Sequence, residues 1–332
     1  MTGRLARSAA SVALALLGVG GLAGCAKTSG GGPAQVQTAV LVPAAAFPVA
    51  LMAERDGGFL YGERLTGKIR RVSADGAVAP DPVATVETTG AEDDQRGLLG
   101  LTRDARGRLL AAWTRPGDGR LVIGEVQAGP DAQPLDAPRL VWLGPTSAQL
   151  ANGGHLTTAP DGRVIVGIGD LQADRALADD PTVPNRKLLA LEPDGPADQV
   201  PTILSTGWNN PFAFTYDGDG TLWVADNTGA EGPERIGRGD RPAGEAQDLG
   251  RPQDGAVAPS ALVSLGPGQL GLCGFLSGRM QLVRVVEGSP SLPSSELADG
   301  CSTGATVLGD HRIVVATPTE IRVRDGVVGR DS

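Results

Sequence analysis

From residue 38 onward the hydrophobic positions never hold a helical period for three turns. They fall instead into short β-branched or Leu-rich runs, such as Val164-Ile165-Val166 and Leu222-Trp223-Val224, cut by Gly, Asp and Pro. That pattern describes strands joined by tight turns. One phrase recurs, an Asp and Gly turn followed by an apolar run, at Asp56-Gly57-Gly58, Asp104 to Gly107, Asp161-Gly162 and Asp219-Gly220. A weaker copy runs from Leu276 through Gly278 to Val283, and a last one from Gly309 through His311 to Val315. The turn glycines Gly58, Gly107, Gly162, Gly220 and Gly278 lie 49, 55, 58 and 58 residues apart. That period suits a four-stranded propeller blade with generous loops. Gly309 comes only 31 residues after Gly278, which predicts a short last blade completed by an N-terminal strand around Val36 to Val42. The expectation is therefore an all-β, six-bladed β-propeller over residues 38–332. The alternative, two β-sandwich domains with coincidental turns, does not account for the near-constant spacing.

Ahead of the strand pattern stands a different kind of segment. Arg4 and Arg7 precede an uncharged stretch, Ser8 to Gly24, that ends in Leu22-Ala23-Gly24-Cys25. A basic start, a short apolar run and small residues before a cut describe a secretory signal. The ending looks like a bacterial lipobox, in which the cysteine thiol takes a diacylglycerol and becomes the first mature residue. A transmembrane anchor is the competing reading, but the stretch is short for a bilayer and rich in Gly and Ala. Residues 1–24 are thus read as a lipoprotein signal peptide, Cys25 as the lipid attachment site and residues 25–37 as a flexible tether. Removal of the signal leaves 27 basic against 38 acidic side chains, net −11. Such a body is repelled by anionic headgroups, so the lipid does the anchoring. The expected location is the outer face of the cell membrane.

Composition narrows the function. With 41% hydrophobic and 20% charged residues the chain can bury a core. Aromatics at 3% and a formal charge of −9 exclude a nucleic-acid partner. Three cysteines are an odd number for an exported chain. The lipid takes Cys25 and leaves Cys273 and Cys301 to pair in an oxidising compartment, the alternative being two buried free thiols. No CxxC spacing suggests a metal. Asp217-Gly218-Asp219-Gly220 begins like a calcium loop but lacks the later acidic ligand, so it reads as a hairpin turn. No metal ligands are assigned.

Three stretches carry a resemblance. They are Arg96-Gly97-Leu98-Leu99-Gly100-Leu101; Asn152-Gly153-Gly154-His155-Leu156 running on to Pro160-Asp161-Gly162 and Ile168-Gly169-Asp170; and Gly207-Trp208-Asn209-Asn210-Pro211-Phe212 leading to Gly220-Thr221-Leu222-Trp223 and Asp226-Asn227. A fainter echo is Glu63-Arg64 before Gly67-Lys68-Ile69-Arg70. Together, in this order, they resemble the soluble quinoprotein glucose and sorbosone dehydrogenases. The resemblance implies a six-bladed propeller that uses PQQ and calcium to oxidise a CH–OH group of a sugar or alcohol. It places Asn152, Asn209 and Asn210 at the cofactor and Asp170 beside the pocket as a catalytic candidate, where the plain reading of Asp170 is a turn cap.

The departures are as informative as the matches. The histidine that acts as the family's general base aligns with Ala151, which accepts no proton. The arginine set against the quinone's negative charge aligns with Asn209. His155 is the candidate substitute, but four residues of extended chain displace it by about 13 Å. His311 has no counterpart in the family and reads as structural, and Arg70-Arg71 as a solvated pair. Three functions remain open. The first is a sugar or alcohol dehydrogenase with weakened or lost redox activity. The second is a non-catalytic propeller binding a small ligand, a glycan or a protein partner at the cell envelope. The third is a lactonase-like calcium site built from Glu63, Asn152, Asn210 and Asp226.

Overall fold

The structure, a computed structural model, describes residues 38–229, 233–249 and 257–325. The signal segment, Cys25 and the tether lie outside the described residues. The described chain folds into six antiparallel sheets set around one axis. The innermost strands of blades 1 to 6 are Pro48–Ala53, Leu98–Arg103, Gly153–Thr158, Ala213–Tyr216, Pro259–Gly266 and Gly304–Val307. Each contacts the next, and the last contacts the first, so the ring is closed.

The predicted closure is present. Thr38–Val42 forms the outermost strand of blade 6, antiparallel to Ile321–Arg324, with Thr38 opposite Arg324 and Val42 opposite Ile321. Blade 6 thus takes three strands from the C-terminal end and one from the N-terminal end of the described chain, and two strands with unpaired edges become one ladder.

Six hydrophobic clusters hold the ring, one between each pair of adjacent blades. Period-two alternation explains how one strand serves two of them. In blade 3, Val164, Val166 and Ile168 face blade 2, whereas Ile165 faces blade 4. Central strands are therefore buried on both faces: every residue of Val164–Ile168 and of Leu222–Asp226 is buried. This is why their sequences read as continuous apolar runs. Close approach near the axis demands small residues. A Cβ on Gly100 would lie 2.3 Å from the Gly154 carbonyl oxygen, so blades 2 and 3 can meet only through glycine there.

The recurring turn has a physical basis. Asp56 Oδ1 accepts the Gly58 amide, Asp104 Oδ1 those of Arg106 and Arg108, Asp161 Oδ1 that of Arg163, and Asp310 Oδ1 that of Arg312. Each Asp closes the hairpin between the first and second strands of its blade, and a left-handed residue follows. In blade 1 that residue is Gly57, not Gly58, and in blade 6 it is His311, at φ 67°. Asp217 does the same in blade 4, accepting the Asp219 and Thr221 amides, so that acidic stretch is a hairpin turn.

Blade 5 departs from the sequence expectation. Gly278 lies between the second and third strands, one hairpin later than the other copies. The equivalent turn is Pro267-Gly268, with Gly268 at φ 63° and no aspartate to mark it. The short last interval is therefore a shift of one hairpin.

Cys273 and Cys301 form a disulfide with Cα atoms 5.4 Å apart, both fully buried. It ties the second strand of blade 5 to the segment entering blade 6. Closing a loop of 28 residues restricts the unfolded chain. The Cys273→Ser/Cys301→Ser variant is expected to lose about 3 kcal/mol of stability, read from its urea midpoint. A midpoint equal to that of the parent would show that the crosslink contributes nothing.

Candidate functional site

At one end of the ring the segments leading into all six inner strands converge on a cavity of about 360 Å³. Blade 1 supplies Phe47 and Val49, the loop entering blade 2 supplies Glu92 to Gln95, and blade 3 supplies Leu150. Asn210 and Phe212 come from blade 4, Pro259 and Ser260 from blade 5, and Ser302 and Thr303 from blade 6. The backbone at this mouth is strained. Phe47, Ala151 and Ala258, each just ahead of an inner strand, have φ between 52° and 54°. Such outliers persist only where surrounding bonds hold them, and they gather at functional sites.

Arg64 organises one wall. Its guanidinium lies 4.1 Å over the Phe47 ring and donates to the carbonyls of Ala91, Asp94 and Arg96. Asp94 is in turn gripped by Arg96 through its amide at 2.8 Å and its Nε at 2.7 Å. The arginine therefore serves to shape the acidic loop that lines the cavity.

The sequence-predicted residues part company here. Asn210 lines the cavity, and its Oδ1 accepts the Gly153 amide at 3.0 Å. Asn152 is wholly buried and internally bonded. Its Oδ1 accepts the Ala148 amide, and its Nδ2 donates to the Ala148 and Gln95 carbonyls. It braces the loop and does not line the cavity. Asn209 lines a second cleft, between blades 3 and 4, and donates to Asp170 Oδ2 at 3.0 Å. Asp170 also accepts the Gln172 amide and lies 3.6 Å from Arg186, so its carboxylate is a buried bracket.

Asp226 joins these pieces. Fully buried, it accepts the Asn209 amide with both oxygens at 2.9 Å, the Asn210 amide at 2.8 Å and a guanidinium hydrogen bond from Arg235. Glu63 is likewise held by Arg70 and Thr66. Among the described residues no three His, Cys, Asp or Glu side chains group as a metal-ligand set. Of the lactonase-like quartet, Glu63, Asn152 and Asp226 have their side chains engaged in internal bonds, and only Asn210 lines the cavity.

A family model for glucose / sorbosone dehydrogenase matches residues 45–239, more than half of the chain. The chain belongs to the glucose/sorbosone dehydrogenase family. Among solved structures, the PQQ-bound aldose sugar dehydrogenase of Streptomyces coelicolor is 19% identical, with a TM-score of 0.69 over 88% of this chain and 99% of that one. The apo form of the soluble aldose sugar dehydrogenase of Escherichia coli is 16% identical, with a TM-score of 0.71 over 87% and 99%. A putative oxidoreductase (glucose dehydrogenase) of Thermus thermophilus is 20% identical, with a TM-score of 0.69 over 87% and 100%. At these identities the structural likeness shows the shared propeller. No curated protein matches the chain.

Within this glucose/sorbosone dehydrogenase fold, the position aligned with the family's base is a backbone strut. The Ala151 amide donates to Gln95 Oε1 at 2.7 Å and its carbonyl accepts the Leu171 amide. His155 is not among the cavity-lining residues. It packs edge-on to Phe214 at 4.7 Å and against Phe212 at 5.8 Å, and Phe212 presents the cavity face. Burial pushes its imidazole down to about 4, opposed by a hydrogen bond with the Phe214 backbone. It is neutral at physiological pH. Sequence reasoning gave no role to Arg64, Ser260 and Thr303; the run Glu92-Asp93-Asp94 directly before the matched Arg96-Gly97 stretch was the available signal for the acidic wall.

The lowered His155 pKa makes stability depend on pH. The unfolded chain takes up the proton near pH 6.5 and the folded chain only near 4, so stability falls as pH drops through that window. The slope should approach about 1.4 kcal/mol per pH unit from this group. His155→Gln is expected to flatten it in denaturation series between pH 4 and 6.5. An imidazole that titrates near 6.5 by NMR would contradict the assignment.

Proposed function

We propose that this member of the glucose/sorbosone dehydrogenase family is an exported, lipid-anchored propeller that binds a small ligand in its axial cavity and has lost PQQ-dependent sugar oxidation. The charge of the cavity carries the reading. PQQ is a tricarboxylate, and its recognition calls for cations facing the quinone and its acid groups. Three carboxylates, Glu92, Asp93 and Asp94, line this cavity against one guanidinium, Arg64, which is already committed to loop carbonyls. The residues lining this cavity do not fit that cofactor. The missing base supports the same conclusion. Ala151 holds no proton acceptor, and a positioned base contributes roughly 10²–10⁴-fold to such a reaction.

The purified chain, supplied with PQQ and calcium and a panel of sugars and alcohols, is expected to reduce no dye above the PQQ-free control. It is also expected to retain no PQQ after dialysis. Turnover that depends on PQQ would overturn the binding reading and restore the dehydrogenase. The anchor is tested separately. Cys25→Ser should move the protein from the membrane fraction to the soluble one, and an unchanged distribution would exclude lipid at Cys25.

A further inference from the structure

We infer that the axial cavity takes a small organic ammonium: an amine on an apolar or aromatic body with one further hydrogen-bonding group. The inference rests on the ligand-binding reading and names the class of ligand. Glu92 and Asp93 are exposed side chains in the cavity-lining loop. Unlike Asp94, which Arg96 holds, neither carboxylate has an ion-pair or hydrogen-bond partner among the described residues. Arg64, which faces Glu92 electrostatically, is the one cation set against three lining carboxylates, so the excess negative charge of this concave site attracts a cation and repels acids.

A second, independent feature lies on blades 5 and 6. Ser260 and Thr303 line the same cavity, with 9% and 4% of their surface exposed, and neither hydroxyl has a hydrogen-bond partner among the described residues. A buried hydroxyl left unpaired costs on the order of 1–3 kcal/mol, which a ligand polar group would relieve. Blade 5 stands three places round the ring from blade 2. A ligand whose ammonium meets Glu92 and Asp93 extends across the cavity toward Ser260 and Thr303, whose hydroxyls turn from the wall to meet its other end. The surface between is apolar, with Phe212 from blade 4 and the half-exposed Phe275 at the rim. Aromatic faces favour a cation or a ring over a carboxylate. At about 360 Å³ the cavity lies at the small end of ligand pockets, which suits one ring or a short chain.

Tyramine is a suitable probe, compared by calorimetry and thermal shift with phenethylamine, neutral para-ethylphenol and anionic para-hydroxyphenylacetate. Tyramine is expected to bind and to raise the melting temperature, with the acid giving no signal and affinity falling as salt rises. Glu92→Gln/Asp93→Asn, on an exposed loop, should weaken tyramine about tenfold or more. The same variant should keep the parent's urea midpoint. Ser260→Ala/Thr303→Val should bring tyramine down to the affinity of phenethylamine and leave phenethylamine unchanged. Equal binding of para-ethylphenol, indifference to the carboxylate variant, or no binding of either amine would overturn the ammonium assignment. A neutral sugar bound in place of the amines would do the same while leaving the binding reading intact, whereas PQQ-dependent turnover would remove that reading itself.

Discussion

Everything in this molecule depends on the ladder between Thr38–Val42 and Ile321–Arg324. Without it blade 6 would end on Ile321–Arg324 with an open edge, and the cluster shared with blade 1 would lose Val42. The cavity needs all six blades in fixed azimuth, because its lining comes from each of them. A ring joined by antiparallel pairing of chain ends fixes that azimuth at little entropic cost once the other blades are stacked. Closure is thus a requirement of the site as much as of the fold.

Given the ring, one buried carboxylate positions the mouth. Asp226 binds consecutive backbone amides, those of Asn209 and Asn210, and the Arg235 guanidinium supplies the balancing charge. Asn210 then passes the constraint on, since its side chain accepts the Gly153 amide of blade 3. The opening segment of blade 4 is therefore fixed by charge-assisted hydrogen bonds, and a neutral amide bond ties it to that of blade 3. The backbone strain at Ala151 is held in the same way, through Gln95 on one side and Leu171 on the other.

The blades were legible in the sequence because each hairpin has a local chemical need. An aspartate must accept the amides of a tight turn and a residue one to three places on must reach positive φ, so the phrase repeats wherever the hairpin does. Blade 5 shows the limit. Its turn is Pro267-Gly268, without aspartate, and Gly278 took its place in the count because its spacing from Gly220 equalled the previous interval. The site was legible only in part. Asn210 lines the axial cavity, while Asn152, Asn209 and Asp170 are taken up in internal bonds. Which face of a turn an amide presents depends on partners more than fifty residues away, such as Gln95 for Asn152, and no local pattern records them. Ser260 and Thr303 were invisible for the same reason: what distinguishes them is a missing partner.

The way the mouth is built leaves the side chains at positions 151 and 209 free to change without cost to the backbone bonds that hold it. At both departing positions the structure uses the backbone. Asp226 needs the amide of residue 209 and is indifferent to its side chain; Gln95 and Leu171 need the amide and carbonyl of residue 151. Replacing an arginine or a histidine there removes a cation or a base and breaks none of these bonds. The six interblade cores lie elsewhere and are untouched. Stability therefore places no brake on losing the catalytic groups, whereas Asp226, whose carboxylate is itself the clamp, is bound to the fold by a buried charge that would be costly to leave unpaired or to remove. The carboxylates of Glu92 and Asp93 differ from both: they line the cavity and no hydrogen bond among the described residues holds them, so the fold sets little constraint on the charge they carry.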